Sequence, residues 1–412
     1  MSRTLFHCNC SRRELFRKGL GGLGVSAGLP VMLSRASEAL AAEPRRSERI
    51  LVVLELSGGN DGLNTVAPYR DDEYYRVRPT LAIPKDKAIA VTDEAGFHPS
   101  LIGFERLYKD GLMAVVEGCG YPNPSLSHFS SMSYWHTGVP HSGEALGWAG
   151  RFADAYEGET ASNAIINIGS SQSLAVRSGK HSPLVFDDPA QLRRAGSDAE
   201  RAVLGRYAAD RETPNANLAF LRSTARNAAE GGALVRDAWA SYKTPVDYGL
   251  AVGVATDLRK VAALIAADLP TQIYYVSYRG NAFDTHVHQA DLHERLLMYT
   301  ADAVNAFMKD LERIGRRKDV GMMIFTEFGR RVEENASQGT DHGTAGPMFL
   351  VGEGVQGGFY GRTPSLTDLD DGNLKMTTDF RRVYATMIAE WMQYPDTAAV
   401  LKGRFEPLNV FA

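Results

Sequence analysis

Short apolar runs constrain the fold of this chain more than any other feature of its sequence. The five clearest runs are Ile50–Leu56, Leu112–Glu117, Gln272–Ser277, Val320–Thr326 and Met348–Val351. Runs of this kind, rich in valine and isoleucine and bounded by turn residues, are typical of buried strands. Because helical stretches separate them, the sequence predicts an α/β fold with a largely parallel central sheet flanked by helices.

A concentrated set of metal-binding residue types follows the third run. In N-A-F-D-T-H-V-H-Q, residues 281–289, Asp284, His286 and His288 are separated by single residues. Alternation along an extended segment would place the three side chains on one side. A carboxylate with imidazoles suits zinc, manganese or iron, whereas calcium and magnesium prefer oxygen ligands alone. We therefore predict a divalent metal, with zinc first and manganese or iron as alternatives. Calcium is kept as a further alternative, and a loop of solvated histidines is the competing interpretation.

Similar residues follow or flank other predicted strands. Asn60 and Asp61 follow the first run in S-G-G-N-D-G-L-N, Glu327 follows the fourth, and Asp341 and His342 precede the last. Each cluster alone is equally typical of a turn. The carboxyl ends of parallel strands, however, form one edge of a sheet, where ligands bind in open α/β folds. We therefore expect these side chains to converge on one pocket.

The segment after the second run contains a candidate nucleophile. In Y-P-N-P-S-L-S-H-F two prolines end the strand, and Ser127 is predicted to cap a helix from His128 to about Thr137. A hydroxyl at a helix N-terminus lies in the positive field of free amides, which favours a nucleophile or a bound anion. Capping alone is the alternative role of Ser127, and His128 could be a metal ligand, an acid–base group or an anion contact. Arg330, in T-E-F-G-R-R, could pair with Glu327 or bind an anionic substrate.

The N-terminal segment predicts export. Arg12 and Arg13 precede a weakly apolar, glycine-rich run, Gly19–Leu33, and a small-residue site at Ala39–Ala41. This pattern is typical of a twin-arginine (Tat) signal peptide over residues 1–41. The predicted partner is therefore the Tat export machinery, and the predicted location is periplasmic or secreted. No later apolar run is long enough to span a bilayer.

Composition narrows the choice of partners. The chain has 45 basic and 49 acidic side chains, of which residues 1–41 hold six and two, so the exported part has a formal charge of −8. A chain with this net negative charge lacks the excess of basic residues that is typical of nucleic-acid-binding proteins. Cys119 would be the one remaining thiol, which excludes an internal disulfide. Residues 42–412 are predicted to form a single domain, with a helical cap inserted at about 152–245.

Together these motifs resemble a bacterial family of twin-arginine-exported proteins, the domain of unknown function 1501 family. The resemblance rests on L-S-G-G-N-D-G-L-N, S-H-F, F-D-T-H, T-E-F-G-R and G-T-D-H-G, in that order. That family is itself similar to the alkaline phosphatase and sulfatase superfamily, which hydrolyses phosphate and sulfate esters at a metal centre. The resemblance therefore implies an alkaline phosphatase-like fold.

The resemblance also implies roles for the candidate residues. Ser127 or His128 falls at the nucleophile position, and D-T-H favours His286 although His288 completes D-x-x-x-H. The full set of expected metal ligands is Asn60, Asp61, Asp284, His286, His288, Glu327 and His342. Phe328 stands where a second-site ligand belongs, so a complete second metal site is not expected. The chain contains no C-x-P-x-R, which disfavours a formylglycine sulfatase.

The implied function is exported, metal-dependent hydrolysis of phosphate or sulfate esters. The expected substrates are anionic small molecules or cell-envelope esters, and Arg330 would steady the anion. Attack by Ser127 and attack by an activated water both remain open. The alternative is a non-catalytic exported protein that keeps the fold, retains a degenerate metal site and binds a partner in the cell envelope.

Overall fold

The computed structural model describes residues 49–156, 163–192, 198–207, 213, 215–250 and 252–411. The predicted signal peptide lies outside the described residues. The strands are β1 Ile50–Glu55, β2 Val66–Ala67, β3 Ile89–Ala90, β4 Gly96–Phe97, β5 Met113–Gly120, β6 Ile165–Ile168, β7 Leu184–Phe186, β8 Ile273–Ser277, β9 Val320–Phe325, β10 Gly346–Gly352, β11 Gly358–Tyr360, β12 Leu369–Asp370, β13 Asn373–Leu374 and β14 Thr378–Asp379.

The helices lie between these strands. They are α1 Gly62–Thr65, α2 Asp72–Val77, α3 Ile102–Lys109, α4 His128–Thr137, α5 Trp148–Tyr156, α6 Asp198–Tyr207, α7 Ala216–Ser241, α8 Val254–Ala266, α9 Gln289–Arg313, α10 Phe380–Thr386 and α11 Thr397–Leu401. A π-helix, Met387–Trp391, continues α10. In the described part of the chain, no helix combines the length and apolar character needed to cross a membrane.

The central sheet has nine strands in the order β11-β5-β10-β9-β1-β8-β6-β7, with β14 paired to β5. β1 is parallel to β8 and β9, and β6 is parallel to β7 and β8. β10 is antiparallel to both of its neighbours, β5 and β9. The prediction of a largely parallel α/β sheet flanked by helices is therefore confirmed.

Helices cover both faces of this sheet. Val52 and Leu54 of β1 pack into one core, with side chains from α3, α7, α8 and α9. Leu51 and Val53 pack into the other, with side chains from α4, α5, α10 and α11. All four β1 side chains are fully buried, which explains why this strand reads as a continuous apolar run rather than an alternating one.

Strand direction brings the predicted polar clusters to one edge of the sheet. Asp61, Asp284 and Glu327 follow the carboxyl ends of the parallel strands β1, β8 and β9. His342 precedes β10, and because β10 runs in the opposite direction its start lies at the same edge. The fold therefore places residues far apart in sequence on a common rim.

The segment predicted as a helical cap, at about 152–245, contributes to the sheet as well. Its strands β6 and β7 lie beside β8 at one side of the sheet. Val235 and Ala238 of α7 are buried in the core that α8 and α9 share. The described part of this segment is thus continuous with the main core, and the division of the chain into domains stays a prediction.

Candidate metal centre

Three histidines and one aspartate meet at the polar edge of the sheet. The Nε2 atoms of His286, His342 and His128 lie 3.0, 3.1 and 3.4 Å from carboxylate oxygens of Asp284. The Nε2 atoms of His286 and His342 are themselves 2.9 Å apart. In His128, Asp284 and His342, the nearest candidate ligand atoms all lie within 4.8 Å of one another. We call these four residues the His–Asp cluster.

The other ring nitrogen of each histidine faces a hydrogen-bond acceptor. The Nδ1 contacts are His128 with Glu327 Oε1 (2.8 Å), His342 with the Leu126 carbonyl oxygen (2.7 Å), and His286 with Asp341 Oδ1 (3.3 Å). In the neutral ring each Nδ1 therefore carries the proton, which leaves the Nε2 lone pair directed at Asp284. Histidines that bind metals are usually held in this way by a carboxylate or a carbonyl.

This set of donors fits a divalent metal. Three Nε2 lone pairs around one carboxylate repel one another unless a cation lies between them. The Nε2 atom of His128 is buried and makes no hydrogen bond to the described residues; it lies 3.4 Å from Asp284 Oδ2. Imidazole nitrogen with one carboxylate is the ligand chemistry of zinc, manganese or iron.

Close packing of loops positions the cluster. Gly58, after β1, has a φ of +118°, and a Cβ there would lie 2.5 Å from the backbone nitrogen of Asp284. Gly59 has a φ of +77°, and its Cβ would overlap the ring of Phe328. Both positions need glycine, because a side chain would be strained and would push the loops apart. The glycines of S-G-G thus allow the loop after β1 to pack closely against the loop that contains Asp284.

Phe328 forms an apolar wall beside the cluster. Its ring is buried and lies 4.9 Å from the ring of His128 and 4.6 Å from that of His342, measured between centroids. A phenyl ring offers no ligand atom. The absence of a complete second metal site stays a prediction.

Glu327 supports the cluster from behind rather than joining it. Its fully buried carboxylate accepts hydrogen bonds from the backbone amides of Gly58 and Gly59 at 2.9–3.1 Å, and from Nδ1 of His128. The oxygens expected to bind a metal therefore face donors of the protein, which also include the Thr326 hydroxyl at 3.1 Å. These contacts do not favour Glu327 as a metal ligand, and its contact with His128 points to a positioning role.

Asn60 and Asp61 have partners outside the cluster. Asp61 is fully buried, lies 2.6 Å from Nη1 of Arg78, and accepts a hydrogen bond of 2.5 Å from Gln289. Asn60 Oδ1 is 2.9 Å from Nε2 of His293. Burial acts to raise the pKa of Asp61, but the Arg78 guanidinium outweighs it and holds the pKa below the usual value. The structure thus pairs the expected first metal ligand with an arginine instead.

His288 also lies outside the cluster. It is exposed, adopts a left-handed conformation with a φ of 46° directly before α9, and has Nδ1 3.3 Å from Gln338 Oε1. The extended alternation expected for Asp284, His286 and His288 therefore breaks where the chain turns into the helix, and that prediction is wrong. Of the two histidines, His286 is the one that meets Asp284.

Ser127 occupies the predicted position before α4 but does not cap the helix. The helix spans His128–Thr137, as expected, yet the Ser127 side chain accepts no hydrogen bond from its amides. The residue is exposed and is adjacent in the chain to His128. Its hydroxyl is therefore not consumed by capping and stays available for chemistry.

Arg330 is buried beneath the cluster. Its side chain is fully shielded from solvent and donates to Asp284 Oδ1 at 2.8 Å. Further hydrogen bonds reach the carbonyl oxygens of Gly59, Phe283 and Thr340 at 2.6–3.0 Å. Burial would raise the pKa of Asp284, but the contact with Arg330 holds it below the usual value. Arg330 therefore orients Asp284 and the loops, and the geometry does not favour the predicted contact with a substrate anion.

Asp341 was expected in the pocket, but its role as an acceptor for a histidine N–H was not predicted, although carboxylates beside metal-binding loops often have that role. Two other positioning groups were not foreseen. The Leu126 carbonyl is a backbone group that no side-chain pattern marks. Arg78, in R-V-R-P, lies 17 residues after Asp61 in a segment without a metal-binding pattern.

A family model described as "Protein of unknown function (DUF1501)" matches residues 113–404. The chain belongs to this family. The matched region contains all four residues of the His–Asp cluster together with Glu327 and Asp341, but starts after Asp61. The family relationship predicted from the motifs is confirmed.

Solved structures show only distant similarity. A protein of the alkaline phosphatase superfamily from Vibrio parahaemolyticus is 9% identical, with 76% of this chain and 62% of that chain covered and a TM-score of 0.35. The PH0037 protein from Pyrococcus horikoshii is 11% identical, with 76% and 88% covered and a TM-score of 0.30. BT1596, a 2-O GAG sulfatase, is 9% identical, with 75% and 65% covered and a TM-score of 0.29. Similarity this distant says nothing about the chemistry of the cluster, and no curated protein matches the chain.

The buried histidine His293 should make the protein less stable in acid. Burial lowers its pKa to about 3, so between that value and the usual value of about 6.5 the unfolded chain binds more protons than the folded one. The free energy of unfolding should therefore fall with decreasing pH by up to about 1.4 kcal/mol per pH unit. Urea unfolding at neutral and mildly acidic pH measures this slope.

The matched variant for this experiment is His293→Gln, which keeps a donor for Asn60 and removes the titration. The proteins should be treated with chelator first, so that loss of metal in acid does not contribute. We expect a clearly smaller pH slope in the variant. Equal slopes for the two proteins would show that His293 is not held neutral by burial.

Proposed function

We propose that this protein is a metal-dependent hydrolase of phosphate or sulfate esters that acts after export. The observation that carries the proposal is the convergence of three anchored Nε2 atoms on the carboxylate of Asp284. The twin-arginine pattern in residues 1–41 supports a periplasmic or secreted place of action. Membership of a family of unknown function neither supports nor opposes the chemistry.

The four residues of the cluster would be the metal ligands, and the groups around them hold the ligands in place. His128, His286, His342 and Asp284 would hold the metal, and zinc fits this donor set best. A bound divalent metal would supply Lewis-acid activation of an ester oxygen. Glu327, Asp341 and the Leu126 carbonyl fix the rings, so each Nε2 keeps its direction during the reaction.

Ser127 is the side chain best placed to attack the ester. Its uncapped hydroxyl stands at the N-terminus of α4, whose free amides stabilise negative charge as the proton leaves. Attack forms a bond from the serine oxygen to phosphorus or sulfur and breaks the ester bond, and the alcohol leaves. Water then releases the phosphate or sulfate from the serine. Direct attack by water is the other route.

A second function has a specific observation in its favour. Arg330 is buried and Asp61 is neutralised by Arg78, so two groups expected to serve catalysis have structural partners instead. A protein that keeps one metal in a rigid loop and binds a cell-envelope partner would need neither group. Such a protein would bind metal stoichiometrically and turn over no ester.

The test is an ester panel on the purified exported protein. Aryl phosphate monoesters, phosphate diesters and sulfate monoesters are assayed after chelator treatment and after zinc is returned. We expect turnover that disappears with chelator and reappears with zinc. Stoichiometric zinc without turnover of any ester would favour the binding protein instead.

Ser127→Ala tests the nucleophile. If the serine attacks, kcat should fall on the order of 10³-fold or more, while zinc content stays unchanged. Ser133→Ala, on the same helix but about one and a half turns from its start, is the matched control and should retain the full rate. An unchanged rate in Ser127→Ala would assign the attack to water.

A further inference from the structure

The charged groups around the His–Asp cluster nearly cancel once a divalent metal is included. Asp284, Glu327 and Asp341 each carry one negative charge, and Arg330 carries one positive charge in contact with Asp284. The three imidazoles are neutral when their Nε2 atoms bind the metal. A divalent cation therefore balances the cluster without a surplus of positive charge.

Two arginines of the described residues act on the acidic groups of this site, Arg330 on Asp284 and Arg331 on Asp341. Within the described residues, Arg330 is the basic side chain hydrogen-bonded to the cluster, and it is fully buried. The next residue, Arg331, is partly exposed but is directed at Asp371, 3.7 Å away. A substrate with two negative charges would therefore leave more uncompensated negative charge at this site than a substrate with one.

The N-terminus of α4 can accommodate a single negative charge. Ser131 donates the first amide hydrogen bond within the helix, to Ser127, and the Ser127 side chain caps none of the preceding amides. A helix terminus of this kind contributes about half a positive charge. This field lies directly beside His128, the first residue of the helix, whose buried Nε2 lacks a hydrogen-bond partner.

Exposed apolar side chains adjoin the cluster residues in the sequence. Phe129, which follows His128, is 93% exposed, and Leu126, whose carbonyl anchors His342, is 36% exposed. Val287, which follows His286, is 58% exposed. Each of the three lies within one residue of a group that builds the cluster. A phenyl ring left almost entirely in water beside a reactive site offers a surface for the apolar part of a ligand.

From this balance we infer that the site acts on esters whose acid part carries a single negative charge and whose alcohol part is apolar. The inference rests on the proposed function. Phosphate diesters and sulfate monoesters share this chemistry, whereas phosphate monoesters carry two charges. In each case water supplies the atoms for hydrolysis: the ester oxygen leaves as the alcohol, and the acid keeps the added oxygen.

The test compares substrates that differ in charge and share one leaving group. Zinc-loaded protein is assayed at mildly alkaline pH with p-nitrophenyl phosphate, methyl p-nitrophenyl phosphate and p-nitrophenyl sulfate. After correction for the uncatalysed rates, kcat/KM for the better singly charged ester should exceed that for the doubly charged one by at least about tenfold. Comparing kcat/KM for the diester with kcat/KM for the sulfate then shows whether the site prefers phosphate diesters or sulfate monoesters.

A binding measurement gives an independent readout. Benzenesulfonate and phenylphosphonate present the same ring with one and two negative charges, and calorimetry on zinc-loaded protein should show tighter binding of the sulfonate. Asp341→Asn keeps an acceptor for His286 Nδ1 and removes one negative charge. The ratio between the dissociation constants of the phosphonate and the sulfonate should therefore become several-fold smaller. Phe129→Ala should weaken both aryl ligands several-fold and leave the difference between them unchanged.

The outcomes separate this inference from the proposed function. Faster turnover of the phosphate monoester, or tighter binding of the phosphonate, overturns the charge preference and leaves the hydrolase intact. Absence of turnover with every ester overturns the hydrolase. Unchanged aryl binding in Phe129→Ala overturns the apolar contact.

Discussion

Replacing His342 by alanine is expected to lower the affinity of the protein for zinc by at least about 100-fold. Loss of a residue that merely supports a ligand commonly costs about 10–100-fold, and His342 is itself a ligand in this account. Its Nε2 atom lies 3.1 Å from Asp284 and 2.9 Å from the Nε2 of His286, so its removal opens the cluster. Competition with a chelating dye measures the affinity, and elemental analysis after dialysis measures the content.

His288→Ala is the matched control for this experiment. It removes an imidazole from the same F-D-T-H-V-H segment, but His288 is exposed and contacts Gln338 rather than Asp284. We expect this variant to bind zinc as the unchanged protein does. If His288→Ala loses the metal while His342→Ala keeps it, the ligand set described above is wrong.

Replacing Arg330 by methionine is expected to lower the free energy of unfolding by about 3–5 kcal/mol, the usual cost of breaking a buried ion pair. Asp284 would lose its charged partner, and the buried carbonyls of Gly59 and Thr340 would lose their donor. Urea unfolding of chelator-treated protein measures the change, so that a difference in metal affinity does not contribute.

The neighbouring Arg331→Met is the control for position and for loss of charge. Arg331 is partly exposed, and its partner Asp371 is almost fully exposed at 3.7 Å, so the pair should contribute less than about 1 kcal/mol. A similar loss of stability in both variants would show that Arg330 is not the organising contact of these loops.

The fold was largely predictable because each central strand has its own apolar signature. Ile50–Leu56 corresponds to β1 Ile50–Glu55, and the helix predicted from His128 begins and ends at the observed residues. The direction of β10 was not predictable, since a buried strand has the same apolar pattern whether it is parallel or antiparallel. His342 reaches the common edge only because β10 is antiparallel.

The residue types of the site could be predicted from the sequence, but the hydrogen-bond and ion-pair partners of each side chain could not. Asp284, His286, His128 and His342 are brought together, as the motifs imply. Asp61 is of the same chemical type as Asp284, but a distant arginine, Arg78, lies against it. Glu327 is turned towards backbone amides and a histidine Nδ1. A sequence pattern identifies which side chains can bind a metal, whereas contacts between distant segments decide which of them do.

X-ray absorption at the metal edge of the isolated, exported protein can show whether three imidazoles and one carboxylate bind a metal. We expect about one divalent metal per chain, bound by nitrogen and oxygen with the scattering of three imidazole rings. A protein that retains no metal when isolated under metal-replete conditions, or one whose metal shows fewer than two imidazole rings, would show that these four residues do not form a metal site.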